Sequence, residues 1–101
     1  MPENEEGKYE SENEEKWIFR LYVTGATPNS NMAIKNLKAI LLEFLPNQYQ
    51  LEIIDILESP LEALEEDVLV APTLIKFFPP PEVRIVGNLN ERDKVLWQLS
   101  L

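Results

Sequence analysis

Thr27 and Ser30 stand in the turn-rich stretch Thr24-Gly25-Ala26-Thr27-Pro28-Asn29-Ser30-Asn31, directly ahead of a helical pattern, and are hydroxyls to weigh as nucleophiles. A hydroxyl attacks efficiently only when a neighbouring base removes its proton, and the chain contains no histidine and no cysteine. The commonest general base and metal ligand is therefore missing, as are disulfides, thiol redox chemistry and Cys-ligated zinc. Capping and turn formation are the roles left to Thr27 and Ser30. The backbone N–H groups of the helix start offer one further chemistry, the holding of an anion such as a glutathione carboxylate or a phosphate, although Thr24-Gly25-Ala26 is no phosphate-loop pattern. Among the acids, Glu65-Glu66-Asp67 supplies the oxygen ligands that Mg²⁺ and Ca²⁺ take, but consecutive helical residues point in different directions and read as a solvated helix end. Asp55, inside Ile53-Ile54-Asp55-Ile56-Leu57, is the acid expected to be partly buried. With no histidine or second acid beside it in sequence, capping or ion pairing is its expected role. These patterns predict no enzyme, no cofactor and no metal site.

The elements that would position these groups follow from periodicity. Order is expected from Trp17, where Ile18, Phe19, Leu21, Tyr22 and Val23 form a β-prone run broken only by Arg20, as in a strand covered on both faces. Ile34, Leu37, Ile40, Leu41, Phe44 and Leu45 then recur at helical spacing until Pro46 and Asn47 stop the helix. Tyr49, Leu51 and Ile53 alternate with polar residues as the opening of a second strand that runs on to Leu57. Ser59-Pro60-Leu61-Glu62 has the form of a capping box with proline at the first helical position, and opens a short helix reaching about Asp67. Thr73 to Phe78 is a third strand, ended by Pro79-Pro80-Pro81, and Val83 to Val86 is its hairpin partner. After Gly87-Asn88-Leu89, Asn90 is placed to cap a last helix whose buried side is Val95, Leu96 and Leu99. The order β-α-β-α-β-β-α predicts an α/β fold with a mixed four-stranded sheet and helices on both faces, the first two strands being parallel through a helical crossover. Trp17 and Trp97 are expected mainly in the core. Of Phe77 and Phe78, which face opposite ways on one strand, at least one is expected against a helix layer or a partner.

Length and charge bound the rest. A chain of 101 residues supports one domain burying roughly 60 to 70% of its unfolded surface. Residues 1–16 hold seven Glu against Lys8 and Lys16, a net of −5 that leaves −4 of the total −9 for the other 85 residues. So polar a stretch cannot offset its ordering entropy, and 1–16 is expected to be a disordered acidic tail before a domain at 17–101. The cations are scattered singly rather than in stripes, which excludes nucleic acid. No apolar run nears the ~20 residues of a membrane span and no secretory pattern opens the chain, so a cytoplasmic protein without membrane contact is expected.

In Val70-Ala71-Pro72-Thr73-Leu74-Ile75 a proline directly precedes an apolar, β-branched run. Proline donates no ladder hydrogen bond and belongs at the first residue of such a strand, and X–Pro bonds are the ones that become cis at modest cost. The corner resembles the cis-proline corner of thioredoxin-like domains, which normally pair it with a reactive cysteine in the turn that is here Thr24 to Ser30. Set beside Leu21-Tyr22-Val23-Thr24-Gly25-Ala26-Thr27-Pro28-Asn29-Ser30, Ile54-Asp55-Ile56-Leu57, Glu65-Glu66-Asp67, Pro79-Pro80-Pro81 and Ile85-Val86-Gly87-Asn88-Leu89, it is similar to the KaiB family of circadian clock proteins over about residues 17 to 99. The resemblance implies a non-catalytic, fold-switching interaction module. One state is thioredoxin-like and monomeric, binds a KaiC-type ATPase, and competes with the thioredoxin-like sensor domain of a histidine kinase. The other is a ground-state fold with a rearranged C-terminal half that assembles into a homotetramer. Ala71 and Pro72 mark the region where the two diverge, and a cis bond there is expected of the thioredoxin-like state.

The resemblance also marks Asn29, Met32, Lys35, Lys76 and Arg84 as partner-binding positions. Met32 stands where clock members commonly carry Arg, Val83 replaces one of two neighbouring arginines, and Asn88 replaces an Asp. The helix starts at Ser59 and Asn90 and the strand at Val83 to Val86 favour the thioredoxin-like, monomeric state. Two further readings stand beside this one: a cysteine-free thioredoxin-like protein binding a glutathione-type ligand, and a relative serving a stress-signalling kinase.

Overall fold

The computed structural model describes residues 16–101, so the acidic tail expected at 1–16 lies, but for Lys16, outside the described residues. Seven elements follow: β1 (Trp17–Val23), α1 (Pro28–Phe44), β2 (Tyr49–Asp55), α2 (Pro60–Glu65), β3 (Thr73–Phe78), β4 (Val83–Val86) and α3 (Arg92–Leu99). The strands form one sheet in the order β2-β1-β3-β4. β1 runs parallel to β2, from Trp17 opposite Tyr49 to Val23 opposite Asp55, and antiparallel to β3, with Leu21 opposite Leu74. β4 returns antiparallel to β3, Leu74 facing Ile85. The helical connection through α1 permits the parallel pair, and the proline run closes the hairpin.

Alternation along the strands divides the interior in two. Phe19, Leu21, Val23, Leu74 and Ile85 point to one side, where α1 contributes Leu37, Ile40 and Leu41 and α3 contributes Val95 and Leu99. Tyr22, Ile54 and Ile75 point to the other and meet Ala63 of α2 and Val68. This is the α/β sheet with helices on both faces that the pattern predicts. Arg92 of α3 pairs with Glu43 of α1 and lies over the Phe44 ring at 5.5 Å, fastening the two helices that share a face. No helix among the described residues is long and apolar enough to cross a membrane.

Local chemistry agrees with the expected helix starts unevenly. Thr27 is the N-cap of α1, its side chain accepting from the Ser30 N–H, and Asn47, at φ 61, takes the left-handed turn after the helix. Ser59 occupies the N-cap position of α2 but makes no side-chain cap bond. The turn ahead of it is closed by Asp55, whose carboxylate accepts from the Leu57 N–H and whose carbonyl accepts from those of Glu58 and Ser59. β2 accordingly ends at Asp55 rather than Leu57, and α2 ends at Glu65, before Asp67 at φ 57. Asn90 does not cap α3. Glu91 holds that position without a side-chain cap bond, and Asn88 Oδ1 accepts from the Asn90 N–H at 3.1 Å in the preceding turn. The Ala71–Pro72 bond is cis, as are Phe78–Pro79 and Pro80–Pro81.

Two substitutions separate these roles by urea denaturation. Thr27→Ala removes a working cap and is expected to cost about 1 kcal/mol, while Ser59→Ala stays within about 0.5 kcal/mol, as a surface change without a lost partner does. Leu37→Ala, at a side chain with no exposed surface, is expected to cost roughly 2 to 5 kcal/mol.

Candidate functional site

The turn that would hold a nucleophile is closed by its own residues. Ser30 is buried and its hydroxyl accepts from the Thr24 N–H at 3.0 Å, while its own N–H donates to Thr27 Oγ1 at 3.4 Å. The Thr24 hydroxyl lies 3.4 Å from that of Thr27 and 3.5 Å from that of Ser30. The Asn31 N–H is taken by the Thr27 carbonyl, and the Asn31 side chain bonds the Ala26 carbonyl. Three hydroxyls thus satisfy one another and the chain, with no base among them. Of the N–H groups at the helix start, Pro28 has none and that of Ser30 is already engaged by Thr27 Oγ1.

Asn29, Met32 and Lys35 lie exposed on one side of α1, in its first half. Asn29 Oδ1 accepts from Asn88 Nδ2 at 3.4 Å, and Asn36 Nδ2 donates to the Asn88 carbonyl at 2.8 Å, so the β4–α3 turn is clamped against this helix. The same turn is tied to the proline corner: the Gly87 N–H donates to the Pro72 carbonyl at 2.9 Å, and Thr73 Oγ1 donates to the Val70 carbonyl at 2.6 Å. Gly87, at φ 124, adopts a backbone conformation that side chains oppose. Pro72 is buried and Ala71 half-buried. One end of the sheet therefore carries the α1 start, the proline corner and Asn88 as a connected unit.

The other two expected positions are elsewhere. Arg84 sits opposite Ile75 in the hairpin and so projects to the α2 side, where it donates to the Glu66 carbonyl at 2.6 Å and pairs with Glu66 and Glu82. Lys76 is only 2% exposed, with its ammonium 5.3 Å from the centre of the Trp17 ring. No carboxylate among the described residues pairs with it. In this conformation Lys76 is an interior residue, withdrawn from the surface shared by Asn29, Met32 and Lys35, because its strand position points it beneath the half-buried Trp17, which stacks on Phe19 at 6.1 Å.

Sequence reasoning put Trp97 in the core, yet it is 83% exposed. The signal was present: Val95 and Leu99, four apart, are the buried side of α3, and Trp97 midway between them falls on the opposite side. Phe77 packs against the second core cluster and supports Arg20, whose guanidinium lies 5.0 Å from the ring centre. Arg20 donates to the Tyr22 hydroxyl at 2.9 Å, which holds its pKa above the ordinary arginine value; Glu52 and Glu66 add in the same sense and burial opposes them. The carboxylates of Glu65-Glu66-Asp67 do not gather, and among the described residues no three acidic side chains form a metal-ligand group.

Residues 20–101 match the KaiB domain family. The chain is 48% identical over 84 residues to circadian clock protein KaiB3 of Synechocystis sp., covering 83% of this chain and 82% of that one. To the circadian clock oscillator protein KaiB of Microcystis aeruginosa it is 47% identical over 85 residues, covering 84% and 82%. Among solved structures it is similar to the N-terminal domain of SasA from Synechococcus elongatus, at 20% identity and TM-score 0.69 over 85% of each chain. Mitochondrial thioredoxin 3 of Saccharomyces cerevisiae shares the fold at 15% identity and TM-score 0.67, covering 94% of this chain and 89% of that one.

Burying an ammonium against a ring rather than a carboxylate gives a test of the interior. Lys76→Met is expected to keep the fold and raise its stability by about 1 kcal/mol, since an apolar residue of similar volume avoids the desolvation of a charge. Trp17→Ala is expected to lower it. Both are read from the midpoint of chemical unfolding.

Proposed function

The chain belongs to the KaiB family, and on that premise we propose that it is a non-catalytic, cytoplasmic interaction module of a circadian clock or clock-like signalling system, binding a KaiC-type ATPase in its thioredoxin-like state. The observation that supports the reading is the exposed stripe of Asn29, Met32 and Lys35 on α1, with Asn88 hydrogen-bonded beside it, next to a turn whose hydroxyls have no base. A surface of this kind recognises; it has no group to transform a substrate. Presentation is the function, and the second, tetrameric fold withholds the surface by repacking the C-terminal half. Two packings of one sequence serve as a switch when they differ by only a few kcal/mol. Competition with a thioredoxin-like sensor domain of a histidine kinase requires this chain to offer a thioredoxin-like outline, and its sheet has one.

Within that reading Lys35 is the exposed cation of the stripe, whereas Arg84 is already held by Glu66 and Glu82. Met32 stands where related clock proteins commonly carry Arg, so charge complementarity is reduced at this point.

Capture of a KaiC-type ATPase by the full chain, with and without nucleotide, tests the proposal; failure in both conditions removes the clock role. Lys35→Glu is expected to weaken capture by about tenfold, and Met32→Arg to strengthen it several-fold, through the association rate and with a marked salt dependence. Both positions are exposed, and neither change is expected to move the unfolding midpoint by more than about 0.5 kcal/mol.

A further inference from the structure

The two sides of the sheet are covered unequally. α1 and α3 shield one, whereas among the described residues the six-residue α2 is the only helix on the other. Segment 57–70, which contains α2, turns Ala63 and Val68 inward and leaves Leu57, Leu61, Leu64, Leu69 and Val70 exposed, Leu69 to 81%. Leu61 and Leu64 are one helical turn apart and so lie side by side. Leu57 folds toward the α1 turn, 3.8 Å from where a Cβ on Gly25 would stand. Val86 is exposed on the same side of the sheet, opposite Thr73. Single exposed apolar residues are ordinary on a soluble protein, but five from one segment of fourteen positions, rimmed by polar groups, mark a contact surface.

Charge decides what covers it. Glu58, Glu62, Glu65, Glu66 and Asp67 come from the same segment, and among the described residues the cations facing them are Arg84, bound to Glu66, and Arg20, within Coulomb reach of Glu66. The exposed side of α1 carries Lys35 and Lys38 instead. A second copy docking through this patch would bring the same carboxylates against these. Residues 1–15, with seven Glu against Lys8, would do so too. We infer that the α2 surface is a second docking site, separate from the α1 stripe, and that its occupant is a basic amphipathic helix of another protein, whose apolar side seats on Leu57, Leu61 and Leu64 while its Lys or Arg residues meet the carboxylates. The inference stands without the KaiC reading, which uses the opposite helix layer.

The test uses the full ¹⁵N-labelled chain and a synthetic Leu/Lys amphipathic peptide of about fourteen residues, roughly four helical turns, with its Leu/Glu counterpart as control. Amide shifts are expected at 57–70 and Val86 with the Leu/Lys peptide alone. Affinity is expected to fall about tenfold or more in Leu61→Ser/Leu64→Ser, and several-fold in Glu62→Gln/Glu65→Gln, as loss of apolar anchors and of charge complementarity does. Leu69→Ser, outside the helix, serves as a second apolar variant, and the amide spectrum of each variant reports its fold. Shifts centred elsewhere, equal binding of the Leu/Glu peptide, or Leu/Lys binding untouched by the serine variants would overturn the inference. So would a dimer of the chain in sedimentation that Leu61→Ser/Leu64→Ser dissolves, since the occupant would then be a second copy.

Discussion

The pairing of β1 between β2 and β3 is the constraint on which the other elements depend. Seven residues in parallel register with β2, and an antiparallel ladder to β3 on the other edge, leave β1 no freedom to slide. A one-residue slip would carry Leu21 to the α2 side and Tyr22 to the α1 side, exchanging the two core clusters. Because both sides are buried at Leu21, Tyr22 and Val23, either exchange places a residue against the wrong helix. α1 can then settle only where Leu37 and Leu41 meet Phe19 and Leu21, and the turn that precedes it is carried to the end of the sheet beside the proline corner.

From that corner the functional geometry follows. The Gly87 N–H bonds the Pro72 carbonyl, and Asn88 is held by Asn36 and faces Asn29. A loop between β4 and α3, far along the chain from α1, becomes part of the α1 surface through two hydrogen bonds and is tied to the proline corner by a third. The arrangement also separates charge. Lys35 and Lys38 stand on α1, while the acids of 57–70 surround α2 across the sheet. Charges separated in this way give the two sides of the sheet fields of opposite sign.

Much of the architecture was legible in the residues. β3 and β4 were found at their observed bounds because Pro72 and the triproline bracket the apolar runs, and proline permits neither a ladder bond nor helix continuation there. α1 was legible from its period and from Pro46-Asn47. The helix starts were less so, since capping depends on which side chain reaches a first-turn N–H: Thr27 does, Ser59 does not, and Glu91 rather than Asn90 stands at the start of α3. Trp97 was misread by weighing residue type over helical phase.

Composition alone removed thiol and imidazole chemistry, and the order of apolar strand-like runs, helical periods and prolines implied a four-stranded sheet clothed on both faces, because both are properties of residue identity and local spacing. The tertiary structure decided which of the marked residues share a surface. Asn29, Met32 and Lys35 come together on α1, but Arg84 faces the α2 side and Lys76 is inside. That outcome depends on which side of β3 and β4 each residue takes once the hairpin is paired, and on Trp17 lying over the lysine. The place of Lys76 beneath Trp17 is not set by spacing along the chain, because it arises from strands paired across more than fifty positions, whereas the side Arg84 takes follows from the register of the nearby hairpin.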